Sequence, residues 1–158
     1  MNGLEGLLAM EDIRQLKARY YRCMDTKDWD GLAQVFAPDA VFDLRQVNSV
    51  RHPLTGEWLP PYGDESVVYR GHAAVVGMVR NAVTRLVTVH HGHMGEIEIT
   101  SYTSAKAIWA MEDVIRNAPG GPERFMHGFG HYHDTYARLD RGWAIQTTRI
   151  TRLYLETD

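Results

Sequence analysis

The chain has 158 residues, 44% of them hydrophobic and 23% charged, enough for one domain spanning 1–158 with a substantial core. Its 17 basic and 20 acidic residues leave a net charge of −3, and Lys and Arg are dispersed, so nucleic acid and anionic membranes are not expected partners. The single cysteine, Cys23, excludes an internal disulfide framework and a Cys-rich zinc site and suits a reducing compartment. No stretch approaches the ~18 apolar residues of a membrane span, and the first nine residues lack a basic leader region. A soluble, cytoplasmic protein is expected.

Ile13, Leu16, Tyr20 and Met24 recur every three or four residues, which predicts an amphipathic helix over 10–25. Thr26-Lys27-Asp28 breaks the pattern. Trp29, Leu32, Ala33 and Phe36 then mark a short second helix stopping near Ala37-Pro38. A short strand is expected over 41–44. Residues 45–66, with Pro53, Pro60 and Pro61, read as a long irregular loop of the kind that serves as a lid. Ala73, Val76, Val79 and Val83 predict a third helix over 71–86.

Beyond His90 the chain turns to alternating β-branched and aromatic residues, predicting strands over 95–99, 105–116, 125–139 and 143–156. Turn-forming residues separate them at 100–104, 117–122 and 140–142. Short connections imply antiparallel pairing. Helices followed by a long meander give an α+β domain whose helices cover one face of a curved sheet. Such a sheet can leave a pocket for a small apolar ligand.

Several polar residues then stand out. Asp25 ends the first helix, where the macrodipole disfavours a carboxylate, and it shares a helix face with Tyr21, with Tyr20 nearby. Alternation sends His90 to one face of its strand and His91 and His93 to the other, and imidazole is the side chain best poised for proton transfer near neutral pH. One of Glu112 and Asp113 must face inward. Arg149 and Arg152 take opposite faces of the last strand, and an inward arginine needs an anion. His131-x-His133 has metal-ligand spacing, but Ala137 and Arg138 stand where a completing Glu is needed, so aromatic and imidazole packing is the favoured reading. Gly128-Phe129-Gly130 lies inside a strand and is not a dinucleotide loop.

Residues 15–30, Ala37-Pro38-Asp39-Ala40, residues 89–97, residues 109–113 and Asp134-Thr135-Tyr136 with Trp143 resemble the SnoaL-like branch of the nuclear transport factor 2-like superfamily, which includes scytalone dehydratase and the bile-acid 7-alpha-dehydratases. The resemblance implies a cystatin-like cone: three N-terminal helices on the concave face of a curved, mainly antiparallel sheet, enclosing a deep pocket. It further implies a dehydratase without metal or organic cofactor, in which a histidine takes a proton next to a carbonyl and hydroxide leaves as water. Carried across position by position, the histidine is His90 and its aspartate Asp25, with Tyr20, Asp113 and Arg152 completing the site. Met24 and Leu44 replace two water-holding tyrosines of scytalone dehydratase, so its substrate is not expected. A cyclic apolar hydroxy-carbonyl ligand of steroid or polyketide size fits better. Isomerisation, ring closure or non-catalytic binding are the alternatives on this scaffold. The resemblance also implies a homo-oligomer, with three subunits favoured over two.

Overall fold

The structure, a computed structural model, describes residues 3–121 and 125–158. Helix α1 (Gly3–Asp25) begins a full two turns before the expected start. Its added residues Leu4, Leu7 and Leu8 are exposed, so the burial periodicity that marks residues 13–24 could not mark them. Helix α2 (Trp29–Ala33) is capped by Asp28, whose carboxylate accepts from the Gly31 amide at 2.9 Å.

The second helix is shorter than expected because residues 36–40 are extended. They belong to strand β1 (Phe36–Asp43), which starts five residues before the predicted 41. Phe36 pairs with Ile145, and the register shifts before Val41. That irregularity accommodates Pro38, which has no amide to give a regular ladder.

The expected structureless loop carries β2 (Val50–Arg51), β3 (Trp58–Leu59) and a 3-10 turn (Glu65–Val67) ahead of β4 (Val68–Arg70). Helix α3 (His72–Val83) stops before the predicted 86. The next residues open the long strand β5 (Leu86–Ile99), nine residues ahead of the expected start, with Val87, Thr88 and Val89 paired to β6. β-branched residues favour that pleated, half-buried setting.

Strands β6 (Ser104–Asn117), β7 (Phe125–Leu139) and β8 (Gly142–Thr157) fall within one residue of expectation at each end. The part of the second predicted turn at 122 lies outside the described residues.

The sheet runs β3-β2-β8-β7-β6-β5, and β1 joins β8 and β4. β5 to β8 are antiparallel, whereas β1 and β2 run parallel to β8. α1 packs against β5 and β8, and the core lies between helices and sheet, around Ile13, Leu16, Tyr20, Phe36, Tyr132 and Ile145. No helix among the described residues is long and apolar enough to cross a membrane.

Register assigns the inward side chains to rows. Asp113 lies between His90 and Gly128; Met111 between Gly92 and Gly130, with Arg152 beyond; Trp109 between Gly95 and Tyr132, with Ile150 beyond; Ala107 between Ile97 and Asp134, with Thr148 beyond. The candidate site is built on the first two rows.

Candidate active site

Asp25 is the last residue of α1, an unfavourable end for a carboxylate, and the sheet supplies what the helix withholds. Its Oδ2 accepts the His90 amide at 2.8 Å, and its Oδ1 accepts the Thr88 hydroxyl at 2.8 Å and His90 Nδ1 at 2.6 Å. Lys27 adds an outer contact, donating from Nζ to Thr88 Oγ1 at 2.9 Å. It reaches back because its backbone is left-handed (φ 61°), which turns the chain sharply as α1 ends.

Burial pushes the Asp25 carboxyl upward, but the His90 ring, the His90 amide and Thr88 outweigh it and hold the group below its ordinary value of 3.8. An ionised Asp25 that accepts at Nδ1 fixes the His90 proton there and leaves Nε2 as a free base. The His90 side chain is 5% exposed and that of Asp25 21%, so the pair is sheltered without being sealed.

Asp113 faces the same side as His90 and Glu112 does not. Arg152 forks onto Asp113 with two bonds of 2.8 Å and donates from Nε to the Val47 carbonyl at 2.9 Å. To meet Asp113 on β6 the guanidinium crosses β7 at Gly128, where a Cβ would collide with both Arg152 Nη1 and Asp113 Oδ1. This answers the question of the inward arginine's anion. The partner is Asp113, and the same side chain also holds the segment after β1.

Tyr20 is buried and makes edge contacts with Phe36 and Tyr132. Burial raises its phenol well above the ordinary value, against the lowering effect of a hydrogen bond with Tyr132. Tyr21 lies against Gly92.

The sequence reading missed Lys17. It is fully inside, with Nζ 2.8 Å from Asp134 Oδ2 and above the rings of Tyr132, Tyr20 and Tyr21 at 3.7, 4.7 and 5.1 Å. Asp134 also accepts from Tyr136 at 2.7 Å, and Tyr136 accepts from Trp109 at 2.9 Å. Burial lowers the Lys17 ammonium, with Asp134 opposing. The available signal was its spacing: Lys17 stands three and four residues before Tyr20 and Tyr21, on the buried stripe of α1. Thr88 was equally legible, sharing the inward parity of His90.

The other histidines of β5 and β7 lie outside. His91 and His93 are exposed. His127 Nε2 and Glu112 are 2.7 Å apart, and His133 Nε2 lies 3.0 Å from Thr151 Oγ1, its ring 6.2 Å from that of His131. Among the described residues no cluster of three or more His, Cys, Asp or Glu could hold a metal ion. Tyr20, Tyr21 and Tyr132 pack edge to face around Lys17 in the concave interior. A groove of about 840 Å³ lies on the outer face, lined among others by Glu96, Glu98, Ile108, His133 and Arg149.

Comparison with known proteins bears on the fold and the family. The chain is 27% identical over 146 residues to a protein of Gibberella zeae named probable cyclase FGR4, covering 90% of this chain and 89% of that protein. Among solved structures, the hexachlorocyclohexane dehydrochlorinase LinA-type3 of Novosphingobium barchaimii superposes with a TM-score of 0.74 at 18% identity, over 99% of this chain and 94% of that one. A scytalone dehydratase-like protein of Novosphingobium aromaticivorans gives 0.71 at 19% identity, over 96% and 89%. These likenesses establish the expected cystatin-like, nuclear transport factor 2-like fold. Residues 5–149 match the SnoaL-like domain family, and the chain belongs to it.

Proposed function

We propose that the protein is a cofactor-independent lyase that dehydrates a cyclic, mainly apolar hydroxy-carbonyl compound of steroid or polyketide size. The observation that carries this reading is the 2.6 Å contact between His90 Nδ1 and Asp25, which frees Nε2 for proton abstraction. His90 takes the proton from carbon next to the carbonyl. The electron pair left on carbon forms an enolate and then expels hydroxide. The imidazolium returns its proton to the departing oxygen, so the substrate loses one water and the protein regains its starting state.

An elimination of this kind needs a donor where negative charge gathers on the carbonyl oxygen. Resemblance points to Tyr20 as a donor either to that oxygen or to the departing one. Asp113 and Arg152 satisfy one another, and in this reading they shape the polar end of the site and fix the Val47 segment instead of binding a substrate anion. A homo-oligomer, three subunits ahead of two, accompanies the reading, since Ile108, Phe129 and Tyr154 are exposed on the outer face of the sheet and need cover.

The test is deuterium uptake and water loss for a panel of cyclic β-hydroxy ketones in D₂O, followed by NMR. The wild-type protein is expected to catalyse both, and His90→Ala and Asp25→Asn to abolish both. Full activity in either variant overturns the assignment of the base. The likeness to a probable cyclase favours a second reading, isomerisation or ring closure through the same enolate. In that case the product keeps the mass of the substrate.

A further inference from the structure

The tyrosine hydroxyls inside the cone differ in what they have to bond. Tyr136 is used on both sides, by Trp109 and Asp134, and Tyr20 is engaged with Tyr132. The Tyr21 hydroxyl is buried with no hydrogen-bond partner among the described residues. A buried hydroxyl without a partner is costly, and native proteins keep such groups where a ligand or a water completes them.

Its position is specific. Tyr21 is one helical turn before Asp25, on the same face of α1. Its ring rests on Gly92, where a Cβ would overlap the ring and come within 2.8 Å of the hydroxyl. Gly92 is the next inward position after His90 on β5, roughly 6.5–7 Å along the strand at ordinary strand rise. The bare glycine thus admits a phenol beside the base, and Lys17 Nζ stands 5.1 Å from the centre of that phenol's ring.

We propose that Tyr21 is the catalytic hydrogen-bond donor to the substrate oxygen that becomes negative, and that Gly92 is the specificity-determining gap that lets it reach that oxygen. The assignment rests on the proton-abstraction reading above and refines it: the ligand carries an enolate-type oxygen on a planar ring, seated between the His90 imidazole and the Tyr21 hydroxyl. Burial raises the Tyr21 phenol well above its ordinary value, so it stays protonated at neutral pH and acts as a donor, not a second base.

Substituted 2-naphthols, flat phenols that imitate a cyclic enolate, test this on the full chain by fluorescence titration. Tyr21→Phe is expected to weaken binding by about tenfold to a hundredfold, the range for losing a bond to a charged oxygen, and to do so more for acidic than for weakly acidic naphthols. Tyr20→Phe is expected to weaken it less. Gly92→Ala, which displaces the ring without removing the hydroxyl, is expected to reproduce the loss. Equal binding by Tyr21→Phe and wild type, a larger loss in Tyr20→Phe, or a wild type that binds no naphthol overturns the proposal. Tyr21-dependent naphthol binding without deuterium uptake by any ketone would instead sustain the donor site and remove the elimination.

Discussion

Neighbouring residues on the strands of this sheet have opposite fates. His90, Asp113, Arg152 and Asp134 point into the cone and are buried. Most are anchored at 2.6 to 2.8 Å by a charged or polar group on another element. His91, Glu112 and Arg149 carry the same kinds of group on the outside, where Glu112 meets His127 at 2.7 Å but His91, 3.7 Å from it, and Arg149 are exposed. A side-chain period of two separates the two sets, and burial then turns like residues into unlike chemistry. Inside, each charge must be matched. Outside, water shares in the matching.

The contrast is broken most forcefully at the arginines. Arg152→Met leaves Asp113 buried and unpaired, and chemical denaturation should show a loss of about 3–5 kcal/mol. Arg149→Met, on the opposite face, should stay within about 0.5 kcal/mol of wild type. Equal effects would mean that the inner pair is as well solvated as the surface.

The tyrosines sharpen the comparison at high pH. Tyr20, Tyr21, Tyr132 and Tyr136 are all raised above the ordinary 10.0, chiefly by burial. In the unfolded chain they ionise near 10. Their contribution to stability is therefore whole below that pH and lost as pH climbs toward the folded-state values. Phenolate absorbance should show these four ionising only as the fold opens, at the same pH as the loss of circular dichroism.

At low pH the sign reverses. Asp25 is held below 3.8, so its contribution is complete above that pH and disappears as pH falls through the lowered value. Asp25→Asn should flatten the acid limb of the stability profile between those values. The smallest effect is expected at Glu112, where Glu112→Gln weakens a half-buried contact with His127 on the outer face and should leave the denaturation midpoint unmoved within error.

Much of this arrangement could be read from residues alone. The parity of β5 to β8 separated His90 from His91 and Asp113 from Glu112, because side-chain alternation is a local property of strands. The boundary between α3 and β5 was not legible, since valine-rich residues 83–89 suit either element until pairing partners for 86–89 are known. Nor was β1, where Pro38 reads as a stop although a bulge tolerates it. Lys17 was overlooked because a lysine on an apolar stripe normally reaches out to water, and only Asp134, 117 positions away in sequence, explains why this one does not. The passage of Arg152 over Gly128 required coordinates, because it depends on a strand lying between the two partners.

The central claim is that Asp25 holds the His90 proton on Nδ1 and leaves Nε2 bare. Side-chain ¹⁵N NMR of the histidines, with His90 assigned through His90→Gln, tests it directly. A neutral His90 in the Nδ1–H tautomer that is lost in Asp25→Asn is the predicted result. A neutral His90 protonated on Nε2, or one indifferent to Asp25→Asn, would contradict it.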